Sequence, residues 1–220
     1  ETSDVVSAAE LAKQKGSTVI GITNGVDSSL VKKCDAVIYN DAGAELAMAA
    51  TKSYTSQLLL LSIIAISFAI TRGVPSGKKM DELFLEFGQL PEKIDQIFSA
   101  EDEIKKIADK YVKNDSLIVL GRKYNYLTAL EGAHKMKETT YVHVEGSTSE
   151  EFIHGPNAII DRNFPCIFLI PRDSVYQDNV KVYEKVNTEG ADNFVITTLG
   201  NSDFKTANTI FLSEVCEQLS

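Results

Sequence analysis

The chain is short of three things, and each shortage excludes something. It holds three cysteines, Cys34, Cys166 and Cys216, among 220 residues. They are odd in number, far apart and without metal-ligand spacing. No disulfide framework and no zinc site is expected, and a reducing cytosol is the natural compartment. Each lies among apolar neighbours and is expected to be a small core residue. Basic residues are also in deficit: 22 Lys and Arg stand against 31 Asp and Glu, a formal net charge of −9. Nucleic acid or an anionic membrane is therefore not expected as the main partner, because both need a positive surface. A small phosphorylated ligand needs only a local site and is not excluded. A long apolar run is missing as well. The most apolar stretch, Leu58 to Ile70, is too short to cross a bilayer and carries Ser62 and Ser67, so a buried helix is expected there. No targeting segment is expected. The first residue is not Met and the opening residues already read as a helix start, which suggests a fragment of a longer protein.

What is present is an ordinary globular composition, 44% hydrophobic and 24% charged, in a chain long enough for one large or two small domains. Helix and strand patterns alternate almost throughout. Thr2 or Ser3 can cap a helix running to Lys15, with Gly16 at its end. Thr18 to Thr23 reads as a buried strand, Ser28 to Lys33 as a helical turn, and Ala36 to Tyr39 as a second strand. A long helix follows Asp41-Ala42-Gly43 and ends near Arg72-Gly73. From Ser76 to Val112 the pattern is helical and charged, broken at Pro91. Strands are expected at Ser116–Leu120, Tyr141–Val144, Cys166–Ile170, Phe194–Thr197 and Thr209–Leu212, with helices at Asn125–Thr139 and Val175–Glu189. This alternation indicates an α/β fold with parallel sheets. The expected division is an α/β unit over 1–75, a helical linker over 76–113 and a second α/β unit over 114–220. An internal echo supports two related halves: Thr18–Thr23 followed by Asp35–Tyr39, and Asn193–Thr198 followed by Asn208–Leu212.

Two stretches hold residues with chemical potential. In the first, Gly121-Arg122-Lys123 precedes Ala129-Leu130-Glu131-Gly132-Ala133-His134-Lys135-Met136-Lys137-Glu138. Glu131, Lys135 and Glu138 are spaced i, i+4, i+7 and share one helix face. Such a trio is ordinarily a solvated ion-paired face. Small Gly132 and Ala133 suggest instead a helix packed close on a sheet, beginning at the carboxyl edge where open α/β sheets place ligands. His134 lies beside this face, packed or exposed. In the second stretch, Glu145 to Phe152 reads as a loop rich in hydroxyls and carboxylates. It leads to His154-Gly155-Pro156, where Gly-Pro fixes the backbone after the imidazole. His143, within a strand pattern, reads as structural. At the start, Thr2 reads as a helix cap, although a helix N-terminus also favours phosphate.

Together these stretches resemble the SIS (sugar isomerase) family, in particular the isomerase domain of glucosamine-6-phosphate synthase and its relatives. The resemblance runs through Glu1-Thr2, Ser28-Ser29-Leu30-Val31, Ala42-Gly43-Ala44-Glu45, Ala50-Thr51-Lys52, Ala129 to Glu138 and His154-Gly155-Pro156, in order and over nearly the whole chain. It implies two SIS subdomains, each a parallel sheet flanked by helices in three layers, the first incomplete at its N-terminus. It implies that Thr2 touches the phosphate of a hexose 6-phosphate and that Glu138 shuttles a proton between C1 and C2 of the open sugar. Lys135 would support that base, with Glu131 and the segment around Met48 and Ala50 lining the sugar. His154 would open the ring, reaching the site from a neighbouring subunit, so a homodimer is implied. A carboxylate that reaches both carbons and an imidazole that titrates near neutrality suit that chemistry, and no metal or organic cofactor is required.

Departures from the family pattern are also visible. The serines that would precede Glu1, and the family's earlier Gly-Thr-Ser stretch, are absent, and no residue matches the C-terminal lysine of the synthase. Ala50 stands where Ser is frequent, and Glu150 replaces a small residue. No glutaminase domain is seen. The expectation is an amino-sugar phosphate isomerase, either a deaminase or the isomerase half of the synthase. A deglycase, and a non-catalytic sugar-phosphate sensor, are the alternatives.

Overall fold

A computed structural model describes residues 2–74, 77–204 and 208–217, the side chains of Lys78 and Lys79 apart. Glu1, part of the family-like opening, lies outside the described residues. The chain forms two compact units, Glu1–Ser76 and Gly77–Ser220.

The first unit holds α1 (Ser3–Gln14), β1 (Ile20–Thr23), a 3-10 turn at Val31–Lys33, β2 (Ala36–Tyr39) and α2 (Lys52–Thr71). Helix α1 ends as its glycine dictates. Gly16 adopts φ +81°, its amide bonds Lys13 O, and Ser17 N bonds Ala12 O, a Schellman closure. Strands β1 and β2 pair in parallel, Ile20 opposite Ala36 and Thr23 opposite Tyr39. The first strand starts two residues later than its pattern suggests. Val19 instead bonds Asp35, through Asp35 Oδ2 at 2.9 Å and Asp35 N at 2.8 Å.

Helix α2 differs from expectation twice. It begins at Lys52, because Asp41 and Gly43 take left-handed conformations and residues 41–51 form a loop. It is also not a buried helix. Ile66 is its one buried residue, and Leu58, Leu61, Phe68 and Ile70 are exposed. The described unit has one further α-helix and two strands, too little structure to cover an all-round apolar helix. At 20 residues, α2 is long and apolar enough to cross a membrane by length and composition only, a property that core helices of soluble proteins share.

The second unit is built on a five-stranded sheet, all of whose paired strands are parallel, in the order β4-β3-β5-β6-β7. The strands are β3 (Ser116–Gly121), β4 (His143–Thr148), β5 (Pro165–Ile170), β6 (Asp192–Thr198) and β7 (Asn208–Leu212). The helices are α3 (Lys78–Phe98), α4 (Glu101–Tyr111), α5 (Tyr124–Thr140), the single turn α6 (Ser149–Phe152) and α7 (Tyr176–Glu189). Continuous apolar runs make both sheet faces hydrophobic, as parallel sheets require. One face collects Ile118, Leu120, Phe152, Phe168, Val186 and Val195; the other collects Leu117, Val119, Ala129, Ala133 and Val144.

Three details differ from the sequence pattern. Pro91 does not break its helix; α3 runs through it and the break falls at Ser99–Ala100. Proline removes one amide from the ladder, and Lys93 bonds Glu86 at 2.6 Å across the gap. Strand β4 extends to Thr148, so residues 145–148 are not loop: they pair with β3 from Ile118 to Gly121. Tyr141 belongs to the end of α5, where it takes φ +60°. Of the cysteines, Cys166 is buried in the core, whereas Cys34 and Cys216 are partly exposed.

Candidate active site

Helix α5 sits close on the sheet because two strand glycines and two helix alanines leave room for it. A Cβ on Gly121 would lie 2.0 Å from the Asn125 carbonyl oxygen, and one on Gly146 would lie 2.7 Å from both Ala129 O and Leu130 Cα. Ala129 and Ala133, one turn apart, are fully buried against β3 and β4. Gly132 has no part in this: a Cβ there would meet nothing within 4 Å. The close approach expected from Gly132-Ala133 is real, but Ala129, Ala133 and the strand glycines make it.

With that face against the sheet, Glu131, Lys135 and Glu138 fall on a partly exposed flank, their side chains 29%, 22% and 24% exposed. Lys135 Nζ donates to Glu138 Oε2 at 2.7 Å and lies 3.5 Å from Glu131 Oε1. Glu138 Oε1 faces His134 Nε2 at 3.1 Å. The Lys135 hydrogen bond is the main force that holds the Glu138 carboxyl below its ordinary range, with partial burial opposing it and His134 assisting. Reciprocally, the bond to Glu138 raises Lys135. The result is an ionised carboxylate with each oxygen facing a different nitrogen. The sequence pattern missed His134 as one of these partners, although its i, i+4 spacing to Glu138 was the available signal.

The carboxyl-edge argument does not locate this cluster. Helix α5 starts at that edge beside Arg122 and Lys123, but Glu138 lies fourteen residues further on, about 21 Å along the axis at 1.5 Å per residue. It therefore stands toward the amino edge of the sheet, near the start of β4.

His154 is presented separately. Thr148 caps α6 by accepting Glu151 N at 3.1 Å, buried Ser149 donates to Asn179 Oδ1 at 2.6 Å, and Phe152 is fully buried in the core. The turn ends with His154 N bonded to Glu151 O at 3.0 Å. Gly155 then adopts φ +146°, and Pro156 opens a 3-10 turn. An anchored scaffold thus holds out an exposed imidazole. Among the described residues, no hydrogen bond or ion pair joins the His154 side chain to Glu138 or Lys135. Glu150, a departure from the family pattern, pairs with Arg122 at 3.0 Å. His143 is exposed at the start of β4.

The candidates in the first unit are Thr2, Met48 and Ala50. Thr2 occupies the N-cap position of α1, but its side chain makes no capping bond, contrary to the cap expectation. Met48 is 82% exposed on the loop before α2, with Ala49 buried beside it and Ala50 partly buried. That loop is tied down by groups the sequence pattern did not single out for the purpose. Glu45 accepts from Ser53 N and Oγ at 3.1 and 2.6 Å, which caps α2 and lowers the Glu45 carboxyl. Asn24, at the end of β1, bonds Gly43 O and Ala42 N.

The sequence matches the family described as SIS domain over residues 1–67 and 110–214. The chain belongs to the SIS family. This SIS chain is 34% identical over 202 residues to glutamine–fructose-6-phosphate aminotransferase (isomerizing) 1 of Arabidopsis thaliana, covering 92% of the chain and 30% of that protein. It is 38% identical over 176 residues to the like-named protein of Rattus norvegicus, covering 80% and 26%. Among solved structures, the C-terminal domain of glucosamine-fructose-6-phosphate aminotransferase from Francisella tularensis superposes with a TM-score of 0.91 at 26% identity, over 97% of this SIS chain and 61% of that one. Glucosamine-6-phosphate deaminase from Thermotoga maritima shares the fold, with a TM-score of 0.70 at 23% identity. The SIS chain spans about a third of the length of the curated relatives it matches.

Proposed function

We propose that the protein is a phosphosugar isomerase of amino-sugar metabolism, interconverting glucosamine 6-phosphate and fructose 6-phosphate by proton transfer between C1 and C2. The observation that carries the reading is Glu138, an ionised carboxylate with Lys135 on one oxygen and His134 facing the other. Moving a proton between adjacent carbons needs one base that reaches both, and a carboxylate held ionised is ready to accept the first proton. Lys135, kept cationic by the same pair, is suited to steady the charge that develops on the substrate oxygens. Exposed His154, on its anchored turn, is the candidate for opening the ring in a neighbouring subunit of a homodimer. Thr2, whose side chain makes no capping bond, is the proposed contact to the phosphate, and Met48, Ala50 and Glu131 are the proposed contacts to the sugar.

The direction of the reaction divides two forms of this reading. Curated relatives at 31–38% identity are aminotransferases, which favours the isomerase half of a synthase; a deaminating isomerase runs the same proton transfer in reverse. The test incubates the full-length protein with glucosamine 6-phosphate in heavy water, following deuterium at C2 and ammonia release, with Glu138→Gln alongside. Wash-in that Glu138→Gln abolishes is expected, and ammonia release selects the deaminase. Binding of the sugar phosphate without wash-in would replace this reading with a sensor.

A further inference from the structure

His134 holds no role in the assignments carried by the family resemblance, yet it contacts the residue on which they turn. Its Nε2 lies 3.1 Å from Glu138 Oε1, while Lys135 Nζ lies 2.7 Å from Oε2. The two groups differ in kind. Lys135 is 22% exposed, and as an ammonium it donates without accepting. His134 is 57% exposed, and an imidazole can accept a proton on one nitrogen while it releases one from the other.

We infer that His134 is a positioning residue for Glu138 and the port through which the proton taken up by Glu138 exchanges with water. The inference rests on Glu138 being the proton-transfer base. In the resting state Nε2 faces Oε1 at 3.1 Å and, together with Lys135 on Oε2, fixes the rotation of the carboxylate. When Glu138 removes a proton from carbon, the C–H electron pair passes into the enol of the open sugar and the carboxylate becomes a carboxylic acid. That proton then has two fates. It is returned to the adjacent carbon by the same carboxyl group. Alternatively, it passes from Oε1 to Nε2 of an imidazole carrying its own proton on Nδ1, and the Nδ1 proton leaves to water. The second path leaves a neutral imidazole and an ionised Glu138, consumes nothing, and runs backwards to deliver a solvent proton to carbon. Exposure of the ring gives Nδ1 access to water and lets the two tautomers interchange. Glutamine at 134 would keep a donor near the Nε2 position but relay nothing; leucine would supply neither function.

The experiment uses the full-length protein and its His134→Gln, His134→Leu and Glu138→Gln variants with glucosamine 6-phosphate in heavy water. Turnover and deuterium incorporated at carbon per turnover are measured together. His134→Gln should keep turnover within about threefold of wild type while label per turnover falls about fivefold; His134→Leu should lose about tenfold in turnover as well, the scale of a lost orienting contact. Unchanged label per turnover in His134→Gln overturns the port, and wild-type turnover in His134→Leu overturns the positioning role. If Glu138→Gln is inactive and the His134 variants behave as wild type, this inference alone fails. If Glu138→Gln turns over freely, or the wild type neither turns over nor exchanges, the base assignment fails and takes the inference with it. Because the side chain is exposed, thermal unfolding of the His134 variants should match wild type, which separates these effects from misfolding.

Discussion

Lys135 Nζ donates to Glu138 Oε2 across 2.7 Å, one turn along the same helix. This contact is the main cause of the low Glu138 carboxyl pKa, so removing it has a predictable sign. In Lys135→Met the carboxyl should rise toward its ordinary value of 4.5. If Glu138 is the base, as proposed, the acid limb of the pH–rate profile should then move to higher pH. Linkage has the same sign. A depressed carboxyl stabilises the fold above its unfolded pKa, and that contribution is lost as pH falls through the folded value. Lys135→Met should therefore lose less stability on acidification. A carbon-13 titration of the Glu138 carboxyl checks both; an unmoved titration would show that the ion pair does not set the base.

Glycines of α5 and the strand beneath it make a paired prediction. Gly146→Ala places a methyl 2.7 Å from backbone atoms of Ala129 and Leu130, which cannot swing aside. The helix has to move, at a cost of about 1–3 kcal/mol for overpacking, and turnover should fall because α5 holds Glu138. Gly132→Ala adds the same methyl to open space in mid-helix and should stabilise by up to about 1 kcal/mol. Urea unfolding of the two variants decides; equal effects would mean that α5 does not rest on Gly146.

The turn that presents His154 should tolerate little change. Gly155 at φ +146° lies where side chains rarely go, so Gly155→Ala should cost about 1–3 kcal/mol in backbone strain. If His154 opens the ring, as proposed, turnover should fall further than stability explains, because the substitution displaces it. Phe152→Ala, which empties a fully buried site, should cost about 3–5 kcal/mol. Denaturation and initial rates measured on the same samples separate the two effects. A Gly155→Ala variant of unchanged stability and rate would remove the turn from the functional account.

Much of this was legible in sequence for a physical reason. Short continuous apolar runs such as Ser116–Leu120 and Cys166–Ile170 suit strands buried on both faces, and the i, i+4, i+7 spacing put Glu131, Lys135 and Glu138 on one flank before any coordinates. What the pattern concealed was tertiary. Pro91 looked like a helix end, yet the chain carries α3 through it and straps it with Lys93 and Glu86. Polar residues Glu145–Thr148 resembled a loop but are paired along β3. Burial of α2 was inferred from its own composition, whereas burial depends on what else is present to cover it. Gly132 attracted notice as a small residue, but the contact belongs to Gly121 and Gly146, on the strands that flank α5 in the chain.

Cys166 links core packing to alkaline stability. Its side chain is fully buried between Ile118 and Asn193, its partners on the flanking strands. Burial, with Asp192 and Glu189 nearby, pushes the thiol up to about 12 from an ordinary 9.0. The neutral thiol is therefore favoured in the folded state. Its contribution is fully present below pH 9.0 and is lost as pH rises from there toward about 12, because the unfolded chain ionises first. Cys166→Ala should lose some packing at every pH but show a flatter fall in urea midpoint between pH 8.5 and about 10, before the tyrosines contribute. The same burial predicts selective labelling. A thiol reagent should modify partly exposed Cys34 and Cys216 in the native protein and reach Cys166 only on unfolding. Rapid native labelling of Cys166, together with a parallel pH dependence in Cys166→Ala, would mean that the β3-β5-β6 core opens far more readily than its packing implies.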